Sequence, residues 1–356
     1  MDRSSLAQKV VKIARKVRWE ARALGRARSR LETLPTGGGG FVRLCNEPAF
    51  IEPQDGYVVT AAGRLLEESL DPQFPYYFPP VWRYHLPDPS ELRKRVADPS
   101  NVRRFPALVS MRHLFEWNYY HFHLDVLGKL EALNQAGIPR DIPLVVGKYA
   151  QELPFARALL GRAGKREWLH PDADNRTVFL ADRVYYVVTR SPYGARVRTI
   201  LDELGVEPPD PDARDRVFLT RNKPGSRCLT NQEEIHAIAR RSGFEIVDAA
   251  RMSTDEQIGL FRRTRAMVAL HGAGMTNILY RAGAPLSLLE VSARQYFSTD
   301  MRIICEELGF TFDAIRGEAL PGIDPQLADF HVDPAAFEAA LARLLHQADS
   351  RETAVA

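Results

Sequence analysis

The stretch Arg265-Ala-Met-Val-Ala-Leu-His271-Gly272-Ala273-Gly274-Met-Thr-Asn277-Ile-Leu-Tyr-Arg281 decides the fold. Met267 to Leu270 is an apolar run of strand length, His271 to Gly274 is a turn, and Met275 to Ala282 reads as the start of a helix. A strand that breaks at glycines and opens a helix presents unpaired backbone N–H groups at the positive end of that helix, a seat for phosphate. The attraction is worth about 0.3–1 kcal/mol per exposed charge and up to about 2 kcal/mol when partly buried. A second strand, Pro285 to Val291, follows and brings Glu290 to its carboxyl end. In an open α/β sheet an acid there takes two ribose hydroxyls. A tight βα turn whose glycines serve packing alone looks the same in isolation, so the rest of the chain has to choose.

Around this motif the second half of the chain alternates strand and helix. Strand Val217 to Arg221 leads to a loop ending at Cys228, and Thr230-Asn-Gln-Glu233 reads as a capping box. Strand Phe244 to Val247 precedes a helix introduced by Ser253-Thr-Asp-Glu256. Strands at 266–270, 286–291 and 311–315 complete a parallel, doubly wound sheet, and Asp333-Pro334 opens a final helix through Leu345. The segment 207–213, rich in Pro and Asp, is the best linker. Upstream of it, 41–205 reads as a first α/β unit. Its strands are 56–60, 107–110, 144–146, 178–180 and 184–188, a long helix runs to about Gln135, and Gly194 to Leu204 is a closing helix. Residues 71–90 form a loop rich in proline and aromatics. The expected organisation is a basic amphipathic helix at 1–34, domains at 41–205 and 214–332, and a helix and tail at 333–356.

The net charge of +3 hides an asymmetry. Residues 1–30 hold ten of the 48 Lys/Arg against Asp2 and Glu20, leaving 38 basic against 43 acidic residues in the rest. In that segment Leu6, Val10, Ile13, Val17, Ala21 and Leu24 recur at helical spacing, with Lys9, Lys12, Arg15, Lys16, Arg22 and Arg26 between them and Trp19 among them. Such a helix either lies in an anionic membrane surface or docks on its own protein. No second basic patch or aromatic platform supports nucleic acid. Gly37 to Gly40 reads as a flexible joint. Cys45, Cys228 and Cys305 are lone cysteines without CxxC spacing, which excludes a disulfide framework or zinc site of that type and fits a reducing compartment. No run reaches membrane-span length and no signal-peptide core is present.

Four patches carry chemistry. The glycine turn with His271, Gly272, Ala273, Gly274, Asn277 and Glu290 is the first. The second is Arg221-Asn-Lys223-Pro-Gly-Ser-Arg227, a strand-end loop whose cations suit a pyrophosphate. The third is Asn118-Tyr-Tyr-His121-Phe-His123-Leu-Asp125. Its His-x-His-x-Asp spacing invites a metal on an extended chain. The segment leads into helical periodicity, however, which aligns Asn118, His121 and Asp125 and turns His123 away. We therefore read a His–carboxylate pair suited to deprotonating a hydroxyl, with either His121 or Asp125 as the base. Fourth, Asp172-Ala-Asp174 and Asp210-Pro-Asp212 match the Asp-x-Asp of metal–nucleotide sites but follow no apolar strand, and read as solvated turns.

These segments resemble glycosyltransferase family 61, whose bacterial members are associated with capsule and surface polysaccharide. The resemblance rests on Asn118-Tyr-Tyr-His121 with Asp125, on Arg221 to Arg227 with Asn231-Gln-Glu-Glu234, and on His271 to Asn277 with Glu290. It extends over about 105–345. Phe122-His123 departs from the family's Trp-Leu-type pair and leaves the role of His123 open. The resemblance implies the GT-B architecture, two Rossmann-like domains with parallel sheets facing across a cleft. It also implies a nucleotide-sugar on the C-terminal domain and inversion at the anomeric carbon.

The expected function is an inverting glycosyltransferase without a divalent metal or other cofactor. It would move sugar from a nucleotide-sugar, UDP-linked, to a glycan or lipid-linked acceptor at the cytoplasmic side of a membrane touched through residues 1–30. Asn118, Arg221, Lys223, Arg227, His271, Gly272, Ala273, Gly274, Asn277 and Glu290 would hold the donor, and His121 and Asp125 would serve catalysis. The alternative is a nucleotide-binding scaffold of the same fold without catalysis. An α/β hydrolase needs a Gly-x-Ser-x-Gly elbow, and a dinucleotide oxidoreductase needs Gly-x-Gly-x-x-Gly after a strand. Neither motif is present in this way.

Overall fold

The computed structural model describes residues 31–36, 40–53, 56–63, 65, 66, 69, 89–188, 191–223, 227–295, 298–322 and 327–350. The chain divides into two compact units, Met1–Ser191 and Pro192–Ala356.

The first unit is built on eight strands: β1 (Leu31–Pro35), β2 (Phe41–Cys45), β3 (Ala49–Ile51), β4 (Val58–Thr60), β5 (Val102–Ser110), β6 (Leu144–Val145), β7 (Trp168–Leu169) and β8 (Val178–Val188). Their order is β1-β2-β8-β5-β6-β7, with β3 on β8 and β4 on β3. β5 runs parallel to β6 and β8, and β6 parallel to β7. The pairs β1–β2, β2–β8, β3–β8 and β3–β4 are antiparallel. This sheet is therefore mixed rather than parallel throughout. The connections from β1 to β2 and from β3 to β4 are too short for the crossover that a parallel pair requires. Residues 31–34, expected in the basic helix, belong to β1. Thr36 N–H donates to Gly40 O at 3.3 Å, and residues 37–39 of the expected joint lie outside the described residues. The remainder of the expected helix, 1–30, and most of the proline-rich loop, 71–88, lie outside the described residues. The two expected strands at 178–180 and 184–188 are one. Asp182 and Arg183 are exposed, yet the ladder continues through Arg183, which pairs with Ala107.

Helices of this unit are α1 (Pro89–Val96), α2 (Tyr119–His121), α3 (Lys129–Gln135), α4 (Tyr149–Glu152) and α5 (Pro154–Arg162). Between α2 and α3 the chain forms a π-helical stretch, Phe122–Leu127. Insertions of this kind widen a helix locally and are frequent at functional sites.

The second unit matches its sequence pattern closely. Strands β9 (Asp215–Leu219), β10 (Glu245–Val247), β11 (Thr264–Leu270), β12 (Ser287–Ala293) and β13 (Thr311–Ala319) are parallel in the order β10-β9-β11-β12-β13, with a short antiparallel β14 (Phe330–His331) on β13. Helices α6 (Tyr193–Glu203), α7 (Gln232–Arg241), α8 (Thr254–Arg263), α9 (Asp300–Leu308) and α10 (Pro334–Ser350) accompany them. Side chains alternate across the sheet. Val268, Leu289 and Val291 pack with Ile235 and Ile238 of α7 and Phe337, Leu341 and Leu344 of α10. Each such buried side chain stabilises the fold by about 1.5–3 kcal/mol. The same alternation sends Glu290 and Ser292 to the opposite face.

α6 packs on α9, and Gly194 N–H donates to Glu307 Oε2 at 3.0 Å. The helix placed before the 207–213 linker by the sequence thus lies in the second unit. At α8 the capping box forms as read: Ser253 Oγ accepts from Glu256 N–H, and Glu256 reaches back to Ser253 N–H. At α7 it does not. Asn231 is the N-cap residue, and its side chain bonds Val332 instead, donating to the carbonyl and accepting from the N–H. Asp333 caps α10 through Ala336 N–H.

Candidate active site

Read in chain order, the parallel strands of the second unit run 2-1-3-4-5, so the order reverses between β9 and β11. Ligands of open α/β sheets bind at the carboxyl ends of the strands beside such a reversal. Arg221 and His271 leave these two strands. Arg221 Nη1 donates to His271 O at 3.1 Å. A Cβ on Gly272 would sit 1.9 Å from the same Nη1, so glycine at 272 leaves the guanidinium its path. One on Gly274 would press on Leu219 Cδ2 at 3.1 Å, the strand packed beneath the turn. The chain then enters the expected helix, which is 3₁₀ and runs over Ala273–Arg281. The amides of Ala273 and Gly274 occupy its first turn, where N–H groups have no intrahelical acceptor.

Glu290 takes a different place from the one expected. It lies within β12 rather than at its end, with its side chain 1% exposed. Its Oε1 accepts from His271 Nδ1 at 2.6 Å and lies 3.2 Å from Arg316 Nη1. Arg316, on β13, also donates to Ser292 Oγ. Burial alone would oppose ionisation of Glu290. The hydrogen bond and charge of His271, with Arg316, outweigh it and hold the carboxyl below its usual range. The carboxylate is thus consumed inside the protein and does not face a ribose. It orients His271 by holding its Nδ1. The sequence offered no sign of Arg316 because nothing local marks it. Register alone brings it beside Ser292.

Asn277 is fully buried and donates to Gln257 Oε1 at 2.9 Å and Gly274 O at 3.0 Å, so it braces the 3₁₀ helix against α8 rather than facing a ligand. In the strand-end loop Asn222 bonds Asp248 and Gln232. Lys223 is exposed, and its carbonyl and that of Arg221 accept from Cys228 Sγ. Residues 224–226 lie outside the described residues. Arg227 closes the loop in the left-handed region, φ +63°, which is uncommon for a residue with a side chain. Asp172 Oδ1 accepts from the N–H groups of Arg176 and Thr177, and Asp210 Oδ1 from that of Asp212, so both Asp-x-Asp segments use a carboxylate to shape a turn.

In the first unit β5 lies between β6 and β8, and the strand order reverses at β5 in the same way. The segment beyond β5 is anchored from below. Arg112 and Glu116 form a buried ion pair at 3.1 Å, Glu116 accepts from Gly147 N–H at 3.1 Å, and Lys129 donates to Arg112 O at 2.6 Å. Asn118 then caps α2, its Oδ1 accepting from Tyr120 N–H at 2.9 Å. That assigns it to the helix start rather than to the donor. His121 and Asp125, one turn apart, are joined by a 2.7 Å contact between Nδ1 and Oδ2. Both are partly exposed, at 26% and 27% of their side chains. His123 turns the other way into the core, with Nδ1 on Tyr119 O at 2.8 Å and its ring against that of Tyr119. Burial pushes its pKa down to about 4, so it is a neutral structural residue.

A residue the sequence reading missed completes this cluster. His113 stacks on His121 with ring centres 5.1 Å apart and 23° between planes, and its Nε2 lies 3.9 Å from Asp125 Oδ2. Among the described residues, His113, His121 and Asp125 offer three metal-ligand atoms within 4.8 Å of one another. The hydrogen bonding of His113 bears on that use. Phe115 N–H donates to its Nδ1 at 3.1 Å, so the proton of a neutral ring sits on Nε2, the nitrogen that would have to bind the ion.

Residues 119–285 match the family model described as Glycosyltransferase 61. This is the family the sequence motifs resemble, and the match supports a transferase. The matched span takes in His121, Asp125, Arg221 and His271 and ends before Glu290 and Arg316. No curated protein matches the chain. Among solved structures, the E. coli heptosyltransferase WaaC with ADP is similar at 13% identity and a TM-score of 0.31, covering 69% of this chain and 99% of that chain. A likeness of that size carries no argument about the chemistry of this chain.

Proposed function

We propose that this chain, whose residues 119–285 match glycosyltransferase 61, is an inverting glycosyltransferase of the GT-B type. It moves a sugar from a UDP-linked donor to a hydroxyl of a glycan or lipid-linked acceptor in surface polysaccharide synthesis. The observation that carries the reading is the edge at the β9/β11 reversal, where Arg221, the Glu290-bound His271 and the first amides of the 3₁₀ helix converge.

As the bond from the anomeric carbon to the diphosphate oxygen breaks, negative charge gathers on the diphosphate. Donors already aimed at that position stabilise the departure without reorganising. Arg221, the amides of Ala273 and Gly274 and, when its ring carries both protons, His271 Nε2 take this role, with Lys223 and Arg227 reaching from the loop. His121 Nε2 removes the acceptor hydroxyl's proton, and the hydroxyl oxygen bonds the anomeric carbon on the side opposite the leaving group, inverting it. Asp125 keeps the His121 proton on Nδ1 and balances the imidazolium that forms, the division of labour of a His–carboxylate dyad. A base so placed contributes about 10²–10⁴-fold. No divalent metal enters this scheme. That is favoured by the tautomer of His113 and by the turn-shaping use of both Asp-x-Asp segments.

The test is a panel of nucleotide-sugars assayed for donor hydrolysis and for transfer. One donor is expected to turn over, and His121→Ala is expected to abolish transfer while UDP still binds. UDP binding with no turnover of any donor would make the chain a scaffold instead. No helix among the described residues is long and apolar enough to cross a membrane. Attachment at the cytoplasmic membrane face would come from residues 1–30 and their ten Lys/Arg. Removing them should release the protein from anionic vesicles, and unchanged vesicle binding would dismiss the contact.

A further inference from the structure

We infer that His113 is a positioning residue for the proton transfer, acting through Asp125 and His121 so that His121 Nε2 is presented to the acceptor hydroxyl. The inference rests on the proposed base and goes beyond it. His113 lies outside the matched residues 119–285 and reaches the pair from the segment after β5, not from its helix.

Three contacts define its role. Its ring covers one face of His121 in a stacked arrangement, 5.1 Å between centres. The rings of Phe115 and Tyr120 approach His121 at 5.1 Å each, tilted and perpendicular, so the imidazole has little room to rotate. The Phe115 N–H bond to Nδ1 fixes His113 as the Nε2–H tautomer, and that N–H lies 3.9 Å from Asp125 Oδ2. At this distance it is an electrostatic contact rather than a hydrogen bond. Asp125 Oδ2 therefore faces two imidazoles: it accepts from His121 Nδ1 and is drawn electrostatically toward His113 Nε2–H. Asp125, His113 and Tyr120 are the titratable groups in these contacts. A carboxylate held from two sides cannot swing away when the proton arrives on His121. The buried Arg112–Glu116 pair and the Lys129 bond to Arg112 O keep the His113 segment in place beneath it.

The variants His113→Phe and His113→Gln separate the stack from the N–H. Phe retains a ring against His121 but has no polar hydrogen, whereas Gln restores an N–H at similar reach. For His113→Phe, kcat should fall roughly ten- to a hundredfold, as for other small misplacements of a reacting group. The donor KM and the thermal midpoint should stay near those of the parent, and His113→Gln should recover most of the rate. Nitrogen-15 histidine spectra should show His113 protonated on Nε2 and His121 on Nδ1. In His113→Phe the single His121 tautomer should be lost. Parent kcat in His113→Phe, or a proton on His113 Nδ1, would overturn the inference. So would stoichiometric Zn²⁺ binding that His113→Phe abolishes, since Nε2 would then be a ligand. Full transfer by His121→Ala would instead remove the proposed base, and the two failures are distinguishable.

Discussion

Glu290→Ala probes the second unit's edge from inside. The carboxylate is 1% exposed, bonded to His271 Nδ1 at 2.6 Å and paired with Arg316 at 3.2 Å. Removing one partner of a buried pair costs about 3–5 kcal/mol. The Arg316 side chain is 28% exposed and can recover water, which favours the lower figure. About 3 kcal/mol corresponds to a fall of roughly 6–12 °C in midpoint for a unit of this size. The His271 ring, no longer held, loses a charge-assisted hydrogen bond of about 1.5–3 kcal/mol, and UDP affinity should drop roughly ten- to a hundredfold. Turnover at saturating donor should fall as well, because the charge that His271 faces grows as the bond breaks. Glu290→Gln keeps an acceptor for His271 and should lose less of both, which guards against a variant that does not fold. The stability contribution has a pH signature. The folded carboxyl titrates below its ordinary value of 4.5, so its contribution is complete above that pH. It is lost as pH falls through the lowered value, and parent and Glu290→Ala should converge in stability there. The assays are isothermal calorimetry with UDP and thermal melts across that range. Equal UDP affinity in parent and variant would refute the reasoning.

The same geometry makes two further outcomes testable. Gly272→Ala puts a methyl 1.9 Å from Arg221 Nη1, so the flexible guanidinium must leave His271 O. The circular dichroism spectrum should be unchanged while UDP affinity falls about tenfold, roughly the worth of one charge-assisted contact. Undiminished affinity would place Arg221 outside the site. His123→Leu removes a buried neutral imidazole whose pKa is pushed down to about 4 from 6.5. Its unfolded form binds the proton first, so the parent loses about 3 kcal/mol as pH falls from 6.5 toward 4, and denaturant melts of the variant should lose that slope. A variant with the parent's pH dependence would show that His123 is not the titrating group.

The second unit was legible because its central strands β11 and β12 are buried on both faces and its strands alternate with helices, so apolar runs, glycines and caps coincide. Val217, Ala266, Leu286 and Thr311 each fall within two residues of an observed strand start. In the first unit the runs at 107–110, 144–146 and 178–188 were legible, whereas the added strands β1, β2 and β3 are short and paired antiparallel. Leu31 to Pro35 carries no pattern that separates it from the preceding basic segment. At the candidate site, groups adjacent in sequence were readable: His121 with Asp125 at helical spacing, and Arg221 and His271 at strand ends. Groups brought in by register or from another segment were not. Arg316 meets Glu290 through β13, and His113 meets Asp125 from the segment after β5. Glu290 and Asn277 were assigned to the ligand because residue type suggests polarity toward a site, whereas burial turns both inward.

A crystal structure with UDP bound tests the central claim most directly. The diphosphate should lie at the β9/β11 reversal, against Arg221, His271 Nε2 and the amides of Ala273 and Gly274. Density for the nucleotide away from that edge, with Arg221 still bonded to His271 O and His271 untouched, would contradict it.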